Sequence, residues 1–298
     1  MGNTTSSPNF LKRRRKTVNT SRYSRCYAIE NTDCNNLPNN DEEVNRMEIQ
    51  SFLHRHMWKK DFSSPIEEIL NTGAKILDIG CGDGAWLAQM ATEFPRSSFL
   101  GLDISAIDQT KFYPGNLSFI QSNVLDGMPF ENSEFDYVHM QMLSMAFTEK
   151  EWNQIVIPEM IRITKSGGFI EIMEVDLLPK NAGPNYIKVA QGLLKELQSR
   201  GINGRITELL PRMIESTKAI VNIQQEIKTL PIGSWGGEVG EKHQESTMIV
   251  LRNFAPQLAH AIGIPTYQFN GLLASAREEM DDEWKTFVNF LRIWGQKV

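Results

Sequence analysis

A chain of 298 residues, 41% hydrophobic and 22% charged, suits one large α/β domain with a tail, or at most two small domains; the composition excludes wholesale disorder and collagen-like repeats. With 31 Lys and Arg against 36 Asp and Glu, the net charge of −5 argues against a general nucleic-acid binder. No stretch reaches the roughly 20 apolar residues of a membrane-spanning helix, no apolar signal core follows Met1, and Cys26, Cys34 and Cys81 lack zinc-like spacing, which points to a reducing compartment.

The average charge hides an asymmetry. Residues 1–30 hold Lys12, Arg13, Arg14, Arg15, Lys16, Arg22 and Arg25 against Glu30 alone, a balance of +6, and the remaining 24 bases and 35 acids give −11. This head and the Asn-rich stretch to Asn40 show no apolar period, which predicts a disordered basic tail over residues 1–40. Three readings of the tail stand side by side. Gly2, in Met1-Gly2-Asn3-Thr4-Thr5-Ser6, fits a myristoyl acceptor, with Lys12 to Lys16 as the second signal for weak membrane attachment. The same cluster reads as a nuclear localisation run, or as a plain solvated tail. The body is accordingly expected in the cytoplasm or the nucleus.

From Asp41, an acceptable N-cap, Val44, Met47, Phe52, Leu53 and Met57 mark an amphipathic helix. Pro65 opens a short helix that ends at Gly73. Lys75 to Ile79 reads as a buried strand, followed by a helix from Ala85 that stops before Pro95. Strands are expected at Ser98–Asp103, Leu117–Gln121, Phe135–Met140 and Phe169–Val175, with a helix over Trp152–Ile163. Such alternation predicts βαβ units and a parallel sheet. Beyond Pro179 the pattern gives a helix over Tyr186–Ser199 and a strand over Ile220–Leu230. Met248, Leu251, Phe254, Leu258 and Ile262 mark one further helix, and a last strand, apolar on both faces, runs over Phe287–Trp294.

The most informative run is Asp78-Ile79-Gly80-Cys81-Gly82-Asp83-Gly84-Ala85-Trp86, set where a strand gives way to a helix. Glycines there permit a sharp turn and close approach of a ligand. Asp103 ends the next strand, placed to accept from ribose hydroxyls. Gly80-x-Gly82-x-x-Ala85 also satisfies the dinucleotide fingerprint, so a nicotinamide-dependent oxidoreductase stands as an alternative. Two details favour another ligand: the third glycine falls at Gly84, and Asp78 would repel phosphate oxygens but suit an ammonium group. S-adenosylmethionine has an ammonium, a ribose and no phosphate.

With Ile76 to Gly84, Asp103, Met128-Pro129-Phe130, Phe135-Asp136-Tyr137-Val138 and Lys165 to Glu171, residues 75–176 resemble a class I S-adenosylmethionine-dependent methyltransferase. A narrower similarity, over roughly residues 41–298, is to the fungal methyltransferases related to the velvet-complex regulator of secondary metabolism; it rests on Glu43, Arg46, Gln50, Trp86, Phe94-Pro95, His139 and Gly167 to Glu171. The resemblance implies a Rossmann-like doubly wound α/β fold of seven strands, mostly parallel with an antiparallel last strand. It implies a domain over 41–298, made of N-terminal helices 41–73, a cofactor-binding core 74–180 and a C-terminal part 181–298 with a helical insertion at 232–267.

The resemblance also implies site residues. Asp78 would serve the methionine ammonium, Gly80, Cys81, Gly82 and Gly84 would line the cofactor, Asp103 would take the ribose, and Ile104 would pack on adenine. Asn123, Val124 and Met140 complete the expected pocket, and Arg46 would approach the cofactor carboxylate from a helix face shared with Glu43, Gln50 and His54. Asn123 stands where the class often has an acid, and Gln141 where the narrower family often has arginine. His139 and Gln141 are the catalytic candidates, with His54 and Glu174 behind them. Met128, Met140, Met142 and Met145 read as core filler, and Trp235 among Gly233, Gly236 and Gly237 as a mobile aromatic loop. The expected activity is methyl transfer to a small-molecule or protein acceptor. A cofactor-binding regulatory module acting through a protein partner is the alternative within this family, and duplex nucleic acid does not suit the acidic body.

Overall fold

The computed structural model describes residues 41–105, 112–281 and 284–298. The tail, with Gly2 and Lys12 to Lys16, and the side chains of Asp41, Glu43 and Val44 lie outside the described residues. Helix α1 (Asp41–Trp58) and α2 (Glu67–Thr72) precede β1 (Lys75–Ile79), α3 (Ala85–Glu93), β2 (Ser98–Asp103), β3 (Leu117–Gln121) and β4 (Phe135–Gln141). A π-helical turn, Trp152–Val156, leads into α4 (Ile157–Ile163) and β5 (Thr164–Val175). Then come α5 (Pro184–Ser199), α6 (Leu210–Ser216), β6 (Ile220–Pro231), α7 (Gly237–Asn253), α8 (Ala255–Ala261), α9 (Thr266–Asp281) and β7 (Phe287–Lys297).

The seven strands form one sheet in the order β3-β2-β1-β4-β5-β7-β6, parallel from β3 to β5, with β7 antiparallel to both its neighbours. This is the expected architecture. β1 is a nearly continuous apolar run because helices cover both faces of the sheet. On one face Leu77, Ile79, Val138, Met140, Ile170 and Ile172 pack with Trp152, Met160 and the α6 residues Leu210 and Ile214. On the other, Ile76 and Tyr137 meet Leu70, Leu87 and Met90 of the flanking helices. A third cluster gathers α1, α5, α7, α8 and α9 over β5, β6 and β7. The chain runs outward from β1 to β3 and returns to the far side of β1 as β4, so the strand order reverses between β1 and β4. The crevice outside the carboxyl ends at such a reversal is where open α/β sheets take ligands.

Several boundaries differ from the sequence reading for local reasons. β5 begins at Thr164, five residues early, because Gly167 (φ 79°) and Gly168 form an irregularity that still pairs with β4. The helix expected through Met248 and Ile262 is broken at Phe254, where Pro256 starts α8. The insertion between β6 and β7 does not end at Tyr267 but continues as α9. Trp235 is not a free aromatic loop: its Nε1–H donates to the carbonyls of Ile232 (3.0 Å) and Thr286 (3.1 Å). Among the described residues no helix is long and apolar enough to cross a membrane.

Candidate functional site

The glycine run leaves β1 as a tight turn with Gly80, Gly82 and Gly84 all at positive φ (70°, 55° and 76°), a region that costs an L-residue about 1–2 kcal/mol. The three glycines do different work. A Cβ on Gly80 would lie 2.6 Å from the Leu143 side chain, and one on Gly84 2.6 Å from the Phe119 ring, so either would have to displace that neighbour. Among the described residues, a Cβ on Gly82 would meet nothing within 4 Å. Of these three, only Gly82 faces open space among the described residues, and its N–H donates to Asp103 Oδ2 at 2.9 Å. The other Asp103 oxygen accepts Ser105 N–H at 2.8 Å. Burial lifts Asp103 above the ordinary carboxylate range, opposed by these two N–H bonds. Ile104, 40% exposed, stands beside it.

Asp78 and His139 are paired across β1 and β4, and Nδ1 of His139 lies 2.8 Å from Asp78 Oδ1, both side chains almost fully buried. The ring stacks on Trp86 at 4.1 Å between centroids. His139 is thus engaged both at Nδ1 and over its ring face. Glu174 is engaged likewise. Its oxygens accept the N–H groups of Leu143 (2.7 Å) and Ser144 (2.8 Å), and burial pushes its pKa up to about 8. It clamps the turn after β4, where Met142 holds a left-handed φ of 58° and Leu143 seats on Gly80. A non-glycine residue held there at a crevice is strain stored where a ligand site is built.

The remaining expectations divide. Asn123 caps the turn Val124–Asp126, its Oδ1 accepting Leu125 N–H at 2.8 Å. Val124 and Met140 are buried in the apolar core with Ile79 and Leu102. Cys81 is buried as well, and burial with the Asp78 and Asp103 charges pushes its thiol far up, leaving it inert. Gln141, half-buried, closes β4 opposite Met173. On α1, Arg46 donates to Gln50 at 2.9 Å, and His54 faces Phe290 of β7 (ring centroids 5.9 Å), not the glycine turn. Burial, then the Arg292 charge, lowers His54 to about 3.

A second buried polar group escaped the sequence reading. Glu171, fully buried on β5, accepts the N–H of Ser63 (3.0 Å to each oxygen) and the N–H and hydroxyl of Ser64 (both 2.8 Å). Arg292 of β7 approaches it at 3.4 Å, stacks on Trp58 and donates to the Lys60 carbonyl. This latch holds the segment after α1 against the sheet. Asp61 of that segment receives Trp86 Nε1–H at 3.1 Å and Gln89 Nε2–H at 2.7 Å, which joins the latch to the helix after the glycine turn. The sequence signal is a pair of acids, Glu171 and Glu174, in the otherwise apolar run from Phe169 to Val175.

The donor set suits an adenosyl ligand bearing an ammonium: an open glycine backbone, a carboxylate for hydroxyls at the end of β2, and a second acid at β1. Residues 76–168 match the methyltransferase domain family. The chain is 28% identical over 201 residues to methyltransferase str3 of Strobilurus tenacellus, covering 64% of this chain and 68% of that one. It is 29% identical over 160 residues to the secondary metabolism regulator laeA of Coprinopsis cinerea, covering 52% of this chain but only 39% of that longer one. Similarity to the N-methyltransferase gliN of Aspergillus fumigatus runs nearly end to end, 24% identity over 86% of this chain and 94% of that one. The nicotinamide reading finds no support in these relatives. The family match falls on the same stretch that builds the crevice: residues 76–168 carry a methyltransferase domain, a family whose methyl donor is S-adenosylmethionine.

Proposed function

We propose that the chain holds S-adenosylmethionine along the carboxyl ends of β1, β2 and β4 and methylates a nitrogen or sulfur nucleophile of a small-molecule acceptor. The observation that carries this reading is the open space in front of Gly82, bordered by the Asp103 carboxylate. When bound, the cofactor supplies a methyl group already activated on a sulfonium. Asp103 is placed to accept from the ribose hydroxyls, Ile104 to pack on adenine, and Asp78 to face the ammonium. Gly80 and Gly84 shape the turn without touching the ligand, because Leu143 and Phe119 occupy the ground beside them. Aligning two reactants is worth up to about 7–11 kcal/mol, enough for much of the catalysis.

The acceptor class follows from what the candidate bases are doing. His139 is tied to Asp78 and Glu174 to the turn after β4. An oxygen acceptor needs a base, whereas a neutral amine or a thiolate brings its own lone pair. The near end-to-end similarity to a protein named an N-methyltransferase supports the same choice. Acceptor selectivity belongs to the C-terminal part, 181–298, where α7, α8 and α9 build the cover. The tail is the address, to the nucleus through Lys12 to Lys16 or to a membrane through Gly2. A second reading, a regulator acting through a protein partner, is favoured by the similarity to laeA.

Transfer of labelled methyl from S-adenosylmethionine into cell extract, fractionated into protein, lipid and small-molecule pools, tests the proposal. Label in an amine- or thiol-bearing small molecule is the expected result. Label confined to protein moves the acceptor to the second reading, and no label in any pool overturns catalysis.

A further inference from the structure

We infer that His139 is a positioning residue for the cofactor: by holding one oxygen of the buried Asp78 it presents the other to the ammonium of S-adenosylmethionine. The inference rests on the proposed role of Asp78 and adds to it the group that makes that role workable. A carboxylate only 1% exposed, with no partner, would be costly to keep ionised. Parallel pairing sets His139 directly opposite Asp78, and the ring bridges the two strands with a 2.8 Å contact. With Asp78 ionised the carboxylate can only accept, so in that state Nδ1 is the donor of the contact. Burial lifts Asp78, and the His139 bond pulls it back.

The ring itself has no freedom to do anything else. It lies on Trp86 at 4.1 Å with 17° between planes, and Trp86 is tied through Nε1–H to the Asp61 carbonyl. Tyr137 flanks it with ring centroids 6.0 Å apart. The second nitrogen, Nε2, is buried and has no hydrogen-bond partner among the described residues. A histidine kept for a structural network would use both nitrogens; this one spends a single directed bond, and spends it on the acid at the head of the glycine turn. The latch segment, Trp86 and His139 thus form one stack behind Asp78, so the cover over the sheet and the cofactor acid are joined mechanically.

His139→Leu and His139→Asn, each measured for cofactor affinity by calorimetry, for KM and kcat, and for thermal unfolding, test the inference. Leucine fills the space without a donor; asparagine places an amide N–H near the position of Nδ1. The expected result is that His139→Leu raises Kd and KM for S-adenosylmethionine about tenfold to a hundredfold, the weight of a hydrogen bond to a charged group. kcat at saturation changes little, and His139→Asn recovers most of the affinity. In an Asp78→Asn background, His139→Leu adds nothing. Unchanged affinity in His139→Leu overturns the inference alone. So do equal losses in both variants that track lowered melting temperature, which mean packing only, and a fall in kcat at unchanged KM, which means a proton-transfer role. A wild-type protein that binds no S-adenosylmethionine overturns the functional reading, and this inference with it.

Discussion

On the β1–β3 side of the sheet Asp103 ends β2 and accepts the Gly82 N–H, beside the open space that a Cβ on Gly82 would enter. On the β5–β7 side polar groups are sunk into the strands: Glu171 and Glu174 are fully buried, and Arg292 is 3% exposed. The first side keeps its polar atoms at an edge for a ligand. The second uses charge as carpentry, fixing the segment after α1 through Glu171 and the turn after β4 through Glu174. β4 lies between the two and shares in both, with His139 turned to Asp78 and Met142 held in a left-handed conformation beyond the strand. The lesson is that a buried acid in an α/β enzyme is not by that fact a base.

The comparison breaks most visibly if the carpentry is removed. Glu171→Ala leaves Arg292 buried beside no carboxylate and strips acceptors from Ser63 and Ser64, and the expected loss is about 3–5 kcal/mol, a large part of the total stability of a domain. Urea denaturation reads it directly. A loss below about 1 kcal/mol would mean that Glu171 does not hold the cover in place.

A smaller effect separates Glu174 from a general base. Its carboxyl ionises near 4.5 when unfolded and near 8 when folded, so across that window the folded state keeps a proton the unfolded state has released. Stability contributed by this group therefore falls as pH rises from about 4.5 to 8. His54 and His243, lowered to about 3 and about 4 by burial, act in the opposite sense and cost stability as pH drops below 6.5. Glu174→Gln should flatten the decline in melting temperature between pH 5 and pH 8, whatever it does to the absolute value. An unchanged slope would mean that Glu174 is ionised in the folded protein.

Legibility followed the same division. β1, β2 and β3 are readable to the residue, because each is a short apolar-rich run bounded by polar residues or glycine. The pairing of Asp78 with His139 was not, since strand order decides which residues stand opposite one another. Glu171 and Arg292 find each other only because β7 inserts antiparallel beside β5. α9 was missed because its buried positions, Phe269, Leu273, Ala276 and Met280, are separated by a strongly polar face. Reading Gly80, Gly82 and Gly84 as equivalent was natural from the motif; the side chains of Leu143 and Phe119, distant in sequence, make them unequal.

That inequality supplies the most direct test of the central claim, that the crevice in front of Gly82 is the cofactor site. S-adenosylmethionine and NAD are titrated calorimetrically into the wild-type protein and into Gly82→Arg, with thermal unfolding of both. The account predicts that wild type binds S-adenosylmethionine and not NAD. It predicts that Gly82→Arg loses that binding while staying folded, because its side chain enters open space and its left-handed backbone costs only about 1–2 kcal/mol. A Gly82→Arg protein that binds S-adenosylmethionine as tightly as wild type, or a wild type that takes NAD alone, would contradict it.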